Sequence, residues 1–241
     1  MQRAIDSVLA QTYTNYELVI INDASTDGTA SIVNEYSGHP RTMIYHNPEN
    51  LGVSGNWNRG VNLCRGDFVA RLDADDYYAS DYLENVITAF SDPSEPDMIF
   101  TAAYLVDENG TSRTEAIYRD SWTKSGAAFL PEVVRYCPIR ASSVCLKRSC
   151  YEYLGEVRDD LALHHDWEFW VRVASTCNRV GYIAKPLTFY QVLNSAGCTS
   201  QAIDQASSPK DCATWLSHIR NGNTPYRLAD DMLSLLKRGM Y

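Results

Sequence analysis

"YELVIINDASTDGT", residues 16–29, decides the fold. Its first seven residues are a near-continuous apolar run, the pattern of a strand buried on both faces of a parallel sheet. The run ends in Asp23, small hydroxyl residues, Asp27 and a glycine, all of which suit tight backbone geometry, so a turn alone would account for them. A second apolar run, "DFVARLDADD" at 67–76, ends in carboxylates in the same way. Two acidic strand ends pose the question of what they hold between them.

Outward from these two runs, strands alternate with helices. Residues 3–11 place Ile5, Val8 and Leu9 at helical spacing. Helices are expected at 29–37, 54–64 and 80–90, the last capped by Ser80 or Asp81. Strands are expected at 16–22, 41–47, 67–73 and 96–106. This alternation predicts βαβ units: an α/β fold with an open, mostly parallel central sheet and helices on both faces. Residues 107–140 read more loosely, with loops around Gly110 and Gly126. A short strand at 142–148, a helix after "HHD" (164–166) and a strand at 179–186 follow. Residues 194–210 read as a linker, and 211–219 and 226–238 as two helices. The second carries Leu228, Met232, Leu235 and Leu236 on one side, suited to docking on the parent domain or, alternatively, to a membrane surface or dimer contact. The chain opens on a helix that would ordinarily follow a first strand. The expectation is that this strand is missing from the sequence, leaving an edge of the next strand unpaired.

The chain has 241 residues, with 30 Asp and Glu against 21 Lys and Arg. An acidic balance argues against a nucleic-acid partner, although a bound cation lets an acidic site hold phosphates. No run approaches the ~18 apolar residues of a membrane span, and the first residues lack the pattern of a signal peptide. The 7 cysteines include no CxxC pair. They are expected to be reduced, mostly buried thiols in a cytoplasmic protein.

Ligands of open α/β sheets bind beyond the carboxyl ends of the strands, where both acidic clusters lie. Asp73 and Asp75 are two apart and point to one side of an extended backbone. Such carboxylates suit a hard cation, Mg2+ or Mn2+, that bridges to substrate phosphates. Alternatively, Asp75 and Asp76 begin a turn and help cap the helix at 80. There is no P-loop and no GxGxxG after a strand. A third cluster is "HHDWEFWVRVA", 164–174. Trp167, Trp170, Val171 and Ala174 form a core stripe, and Glu168 with Arg172 an i,i+4 surface pair. Asp166 is either a helix cap or a general base aimed at a substrate hydroxyl. One of His164 and His165 is a candidate metal ligand; a surface or capping role is the alternative.

"NDASTDGT", "NPENLGVSGNWNRG", "GDFVARLDADD" and "HHDWEFWVRVA", in this order and spacing, resemble a family 2 glycosyltransferase over residues 2 to about 190. The resemblance implies a GT-A fold and inverting, cation-dependent sugar transfer from a nucleotide-diphosphate sugar, of UDP or dTDP type, to a saccharide or lipid-linked acceptor. It implies that Asp23 recognises the base and Asp73 the ribose, with further donor contacts at Asn50, Asn58 and Ala74. Asp75 would hold Mn2+ or Mg2+ on the pyrophosphate, and Asp166 would be the base. His165 stands where the family usually has Glu, and Trp57 where many members carry Arg. The implied organisation is a domain over 1–193, with a nucleotide-sugar half (1–106) and an acceptor half (107–193), followed by the linker and helical segment 194–241. A cytoplasmic location, with peripheral attachment to the inner membrane face as its variant, fits that chemistry. The alternatives are a nucleotide-sugar-binding protein without turnover and a nucleotidyltransferase on a similar fold.

Overall fold

The computed structural model describes residues 1–161 and 164–192. The linker and the two helices expected beyond residue 193 lie outside the described residues. Seven helices are described: α1 (Gln2–Leu9), α2 (Thr29–Asn34), α3 (Gly52–Leu63), α4 (Tyr82–Phe90), α5 (Gly126–Arg135), α6 (Arg148–Leu154) and α7 (His165–Thr176). The strands are β1 (Leu18–Asn22), β2 (Thr42–His46), β3 (Phe68–Ala70), β4 (Tyr77–Tyr78), β5 (Met98–Val106), β6 (Ser112–Glu115), β7 (Trp122–Ser125), β8 (Val144–Lys147) and β9 (Arg179–Gln191).

The α/β class holds, but the sheet is mixed. β1 and β2 pair in parallel as a separate two-stranded sheet. The larger sheet runs β3-β8-β5-β9-β4, with β6 on β5 and β7 on β9. Within it only β5 and β9 are parallel; the other pairings are antiparallel. The antiparallel strands come largely from residues 107–148, where the alternating apolar signal weakens. β6 and β7 are four-residue, largely polar edge strands, so periodicity has little to report there.

β5 is the spine. Met98, Ile99 and Phe100 are fully buried, each contributing ~1.5–3 kcal/mol of burial free energy. Successive side chains alternate between the two faces of the sheet. Met98 and Phe100 join Val144 and Leu146 against Trp170 of α7 and Phe129 of α5. Ile99 joins Cys145 and Leu187 against Tyr82 and Val86 of α4. Helices therefore cover both faces.

Two local readings change. Residues 126–135 are helical, although Gly126 and Pro131 look like breakers. Ser125 caps this helix by accepting from the Ala128 N–H at 3.2 Å. Gly126 is needed for packing, not for a turn: a Cβ there would lie 2.4 Å from the carbonyl oxygens of both Ala174 and Cys177. The Glu168–Arg172 pair, expected at the surface, is buried at 2.8 Å. Arg172 also donates to the Leu154 and Glu156 carbonyls. α7 is buried around most of its circumference because α5 and α6 pack beside it over the sheet.

Among the described residues, no strand lies between β1 and β3. A cavity of about 1360 Å³ runs along both, since residues 18–21 and 68–72 line it consecutively. No helix among the described residues is long and apolar enough to cross a membrane. Five cysteines are described and all are free thiols, Cys145 and Cys150 buried.

Candidate active site

The cavity reaches the carboxyl ends of β1 and β3. Asp23, Asn50, Asp73 and Ala74 all line it, so four of the residues singled out from the sequence share one space. Asn58 does not. Its amide donates to the Val157 carbonyl and accepts the Val157 N–H, both at 2.8 Å, which ties α3 to the segment ahead of α7. The expected donor contact is therefore replaced by a structural clamp.

Asp23 follows β1 directly and is held by its neighbours. Its Oδ1 accepts from the Asn47 amide at 2.6 Å and from the Leu51 N–H at 2.9 Å. Asn50 donates to the Asp23 carbonyl and accepts the Gly52 N–H at 3.0 Å. Asn50 thus orders the loop that orients Asp23. Asn47 is the residue the sequence reading missed. It follows β2, where a polar residue after a strand is an ordinary turn signal.

At the other strand end, Arg71 pairs with Asp73 at 2.7 Å. Arg71 in turn lies over the ring of Trp57, 4.1 Å from its centroid. Asp75 is exposed, whereas Asp76 is buried. Partial desolvation by the surrounding protein, with the Asp73 charge adding to it, raises the Asp75 carboxyl above its ordinary range although the residue stays exposed. Burial also pushes the Asp76 carboxyl up to about 7, opposed by hydrogen bonds from Ser142 and Gln191. Asp76 does not cap the following helix: α4 starts at Tyr82 with Asp81 as its cap.

α7 supplies the third wall. His165 is buried, lines the cavity and meets Trp57 edge-on at 6.4 Å. Asp166 is half-buried in the first turn, where its Oδ1 accepts the Trp167 N–H at 2.7 Å. His164 is the helix cap position. Tyr190 of β9 lies under Arg140, whose guanidinium is 5.3 Å from its ring centroid. Burial raises its hydroxyl first, then the charges of Asp76, Asp73 and Asp166, while Arg140 opposes them. No group of three or more His, Cys, Asp or Glu residues that could hold a metal ion occurs among the described residues.

The fold, an α/β arrangement with a mixed sheet, is similar to that of GT-A glycosyltransferases. The model of "Glycosyl transferase family 2" matches residues 1–143, and the chain belongs to that family. It is 37% identical over 86 residues to a glycosyltransferase, GlyA, of Streptococcus pneumoniae, covering 36% of this chain and 12% of that protein. An uncharacterized glycosyltransferase of Rickettsia prowazekii is 26% identical across 99% of this chain and 76% of its own length. Among solved structures, S. aureus TarS residues 1–349 in complex with UDP-GlcNAc superposes with a TM-score of 0.78 at 17% identity, covering 97% of this chain and 66% of that one. A Pyrobaculum calidifontis mannosyltransferase in complex with GDP-Man and Mn2+ gives 0.62 at 19% identity, covering 98% and 64%. These likenesses are of fold. The chain spans 12% of GlyA and 63% of a further relative, an uncharacterized glycosyltransferase of Rickettsia typhi.

Proposed function

We propose that this chain transfers a sugar from a nucleotide-diphosphate sugar to an acceptor hydroxyl with inversion. The observation that carries the reading is the shared cavity: Asp23 and Asp73 line it from the ends of two strands that do not pair with each other. Base and ribose contacts suit these two carboxylates, with the diphosphate toward Asp75. The solved neighbours in complex with UDP, UDP-GlcNAc, and GDP-Man with Mn2+ support a donor of this kind. Within that class a UDP or dTDP donor and a saccharide or lipid-linked acceptor are proposed.

The donor set fits a hard divalent cation, Mn2+ or Mg2+. Asp73 has one oxygen engaged by Arg71, while Asp75 is exposed and its charge is disfavoured by partial desolvation and then by Asp73. Such ions are bound through one or two carboxylates plus substrate phosphates, so no full protein cage is required. When bound, the cation would offset the charge on the departing nucleotide diphosphate. Asp166 accepts the acceptor hydroxyl's proton as that oxygen bonds to the sugar C1. The C1–O bond to the diphosphate breaks in the same displacement, and its electron pair leaves with the nucleotide diphosphate. One displacement inverts C1.

The test is calorimetric binding of UDP and UDP-sugars with and without Mn2+, followed by measurement of released nucleotide diphosphate. Asp75→Asn should weaken Mn2+-dependent donor binding by at least ~10-fold. Unchanged binding in that variant would remove Asp75 from the site. Donor binding without release would indicate a binding protein, and pyrophosphate release a nucleotidyltransferase.

A further inference from the structure

We infer that Asp76 is a positioning residue for the turn that carries Asp73 and Asp75, acting through the hydroxyl of Ser142. The inference rests on the donor-binding reading above. Asp76 is 2% exposed, and both its oxygens are engaged. Oδ2 accepts from Ser142 Oγ at 2.5 Å, and Oδ1 from the Gln191 N–H at 2.8 Å. Ser142 is fully buried, and its Oγ accepts the Asp73 N–H at 3.1 Å. With Asp76 ionised, the Ser142 hydroxyl receives the Asp73 N–H on one lone pair and gives its own hydrogen to the carboxylate. The direction of the relay is therefore set.

The turn is closed from within as well, by the Asp76 N–H on the Asp73 carbonyl at 3.2 Å. Ser142 belongs to the short 3-10 turn Ala141–Ser143 ahead of β8, and Thr188 of β9 donates to its carbonyl at 3.4 Å. Both ends of the Asp73–Asp76 turn are thus anchored to the sheet. Asp75, between the two anchored residues, stays at the surface. Burying a carboxylate is costly unless it is fully hydrogen-bonded. A turn alone does not need one, and this one does not cap α4.

Asp76→Asn keeps the shape but reverses one bond. The new amide would donate to Ser142 Oγ, which already accepts from Asp73, leaving the buried hydroxyl hydrogen without its acceptor. Ser142→Ala removes the relay atom and nothing else. The experiment titrates Mn2+ in the presence of UDP, and uridine alone, against the parent protein, Asp75→Asn, Asp76→Asn, Ser142→Ala and the Asp76→Asn/Ser142→Ala double variant. Both single variants should weaken Mn2+-dependent UDP binding by ~10–100-fold and uridine binding by much less, since uridine meets Asp73 but not Asp75. The double variant should lose no more than the worse single, as expected of residues acting in one chain. Parent-like Mn2+ and UDP binding in Asp76→Asn and Ser142→Ala, with Asp75→Asn impaired, would overturn the inference alone. Equal loss of uridine and Mn2+-dependent binding would also overturn it, because the effect would then be general unfolding. If Asp76→Asn does not fold, Ser142→Ala alone decides by the same readout. A parent protein without Mn2+-dependent UDP binding, or an unimpaired Asp75→Asn, would overturn the functional reading and this inference with it.

Discussion

The guanidinium of Arg71 lies 4.1 Å from the centroid of the Trp57 ring and from that position holds Asp73 at 2.7 Å. An aromatic residue on α3 thereby steadies a carboxylate at the end of β3. Cation–π contacts of this kind contribute ~0.5–2 kcal/mol. Arg71→Met should free Asp73 and weaken donor binding by ~10-fold, and Arg71→Lys should restore part of it, since a lysine offers charge without the planar fork. Isothermal titration with UDP checks both. Equal affinity in Arg71→Met and parent would show that the pair does not orient Asp73.

Asp166→Asn separates the two roles open to this residue. Asparagine retains an oxygen for the Trp167 N–H and so keeps the first turn of α7, but it cannot take a proton. Donor affinity and melting temperature should stay near the parent values while transfer falls by ~10²-fold or more. A folded variant with parent-like turnover would leave Asp166 as a helix-end residue only.

The buried Glu168–Arg172 pair makes a stability prediction. Removing one partner of a buried pair costs ~3–5 kcal/mol, because the other charge is left uncompensated. Arg172→Met should approach that loss, and it also strips donors from the Leu154 and Glu156 carbonyls. Glu168→Gln, which retains an acceptor for Arg172, should cost less. Urea denaturation midpoints of the two variants check the order. A surface pair would give losses below ~1 kcal/mol in both.

The pH prediction concerns Asp81 and Lys185. The Lys185 hydrogen bond holds the Asp81 carboxyl below its usual range. The folded state therefore takes up this proton less readily than the unfolded chain. The pair stabilises the fold above the unfolded carboxylate pKa of ~3.9, and that stabilisation disappears as the pH falls through the lower folded value. Lys185→Met should be slightly less stable than the parent at pH 7, and the two should converge on acidification toward pH 3. A gap that stays constant over that range would rule out the linkage.

The two acidic strand ends were legible because they fall where short-range patterns are strongest. The apolar runs ending at Asp23 and Asp73 declare buried strands, and the rule that ligands sit beyond strand ends selects those two residues. Both line the cavity. Ser142 and Asn47 were not legible: a buried serine whose hydroxyl serves Asp73 and Asp76 looks in sequence like any serine before a strand. Asn58 misled for the converse reason, since nothing local distinguishes an asparagine that meets a ligand from one that clamps Val157.

By itself, the sequence determined the α/β class, the helices and all strands but β4 of its first hundred residues, the core stripe of α7 and the acidic strand ends. Each of these is set by the period of apolar residues or by turn chemistry, which act over a few neighbours. Tertiary structure alone decided that the sheet is mixed and that Glu168 and Arg172 lie inside. It also decided that Gly126 permits two helices to touch, and that Asp76 faces inward while Asp75 faces out. The inward placing of Asp76, for one, depends on Ser142 and Gln191, 66 and 115 residues away along the chain. Contacts at such separation leave no periodic trace in the sequence.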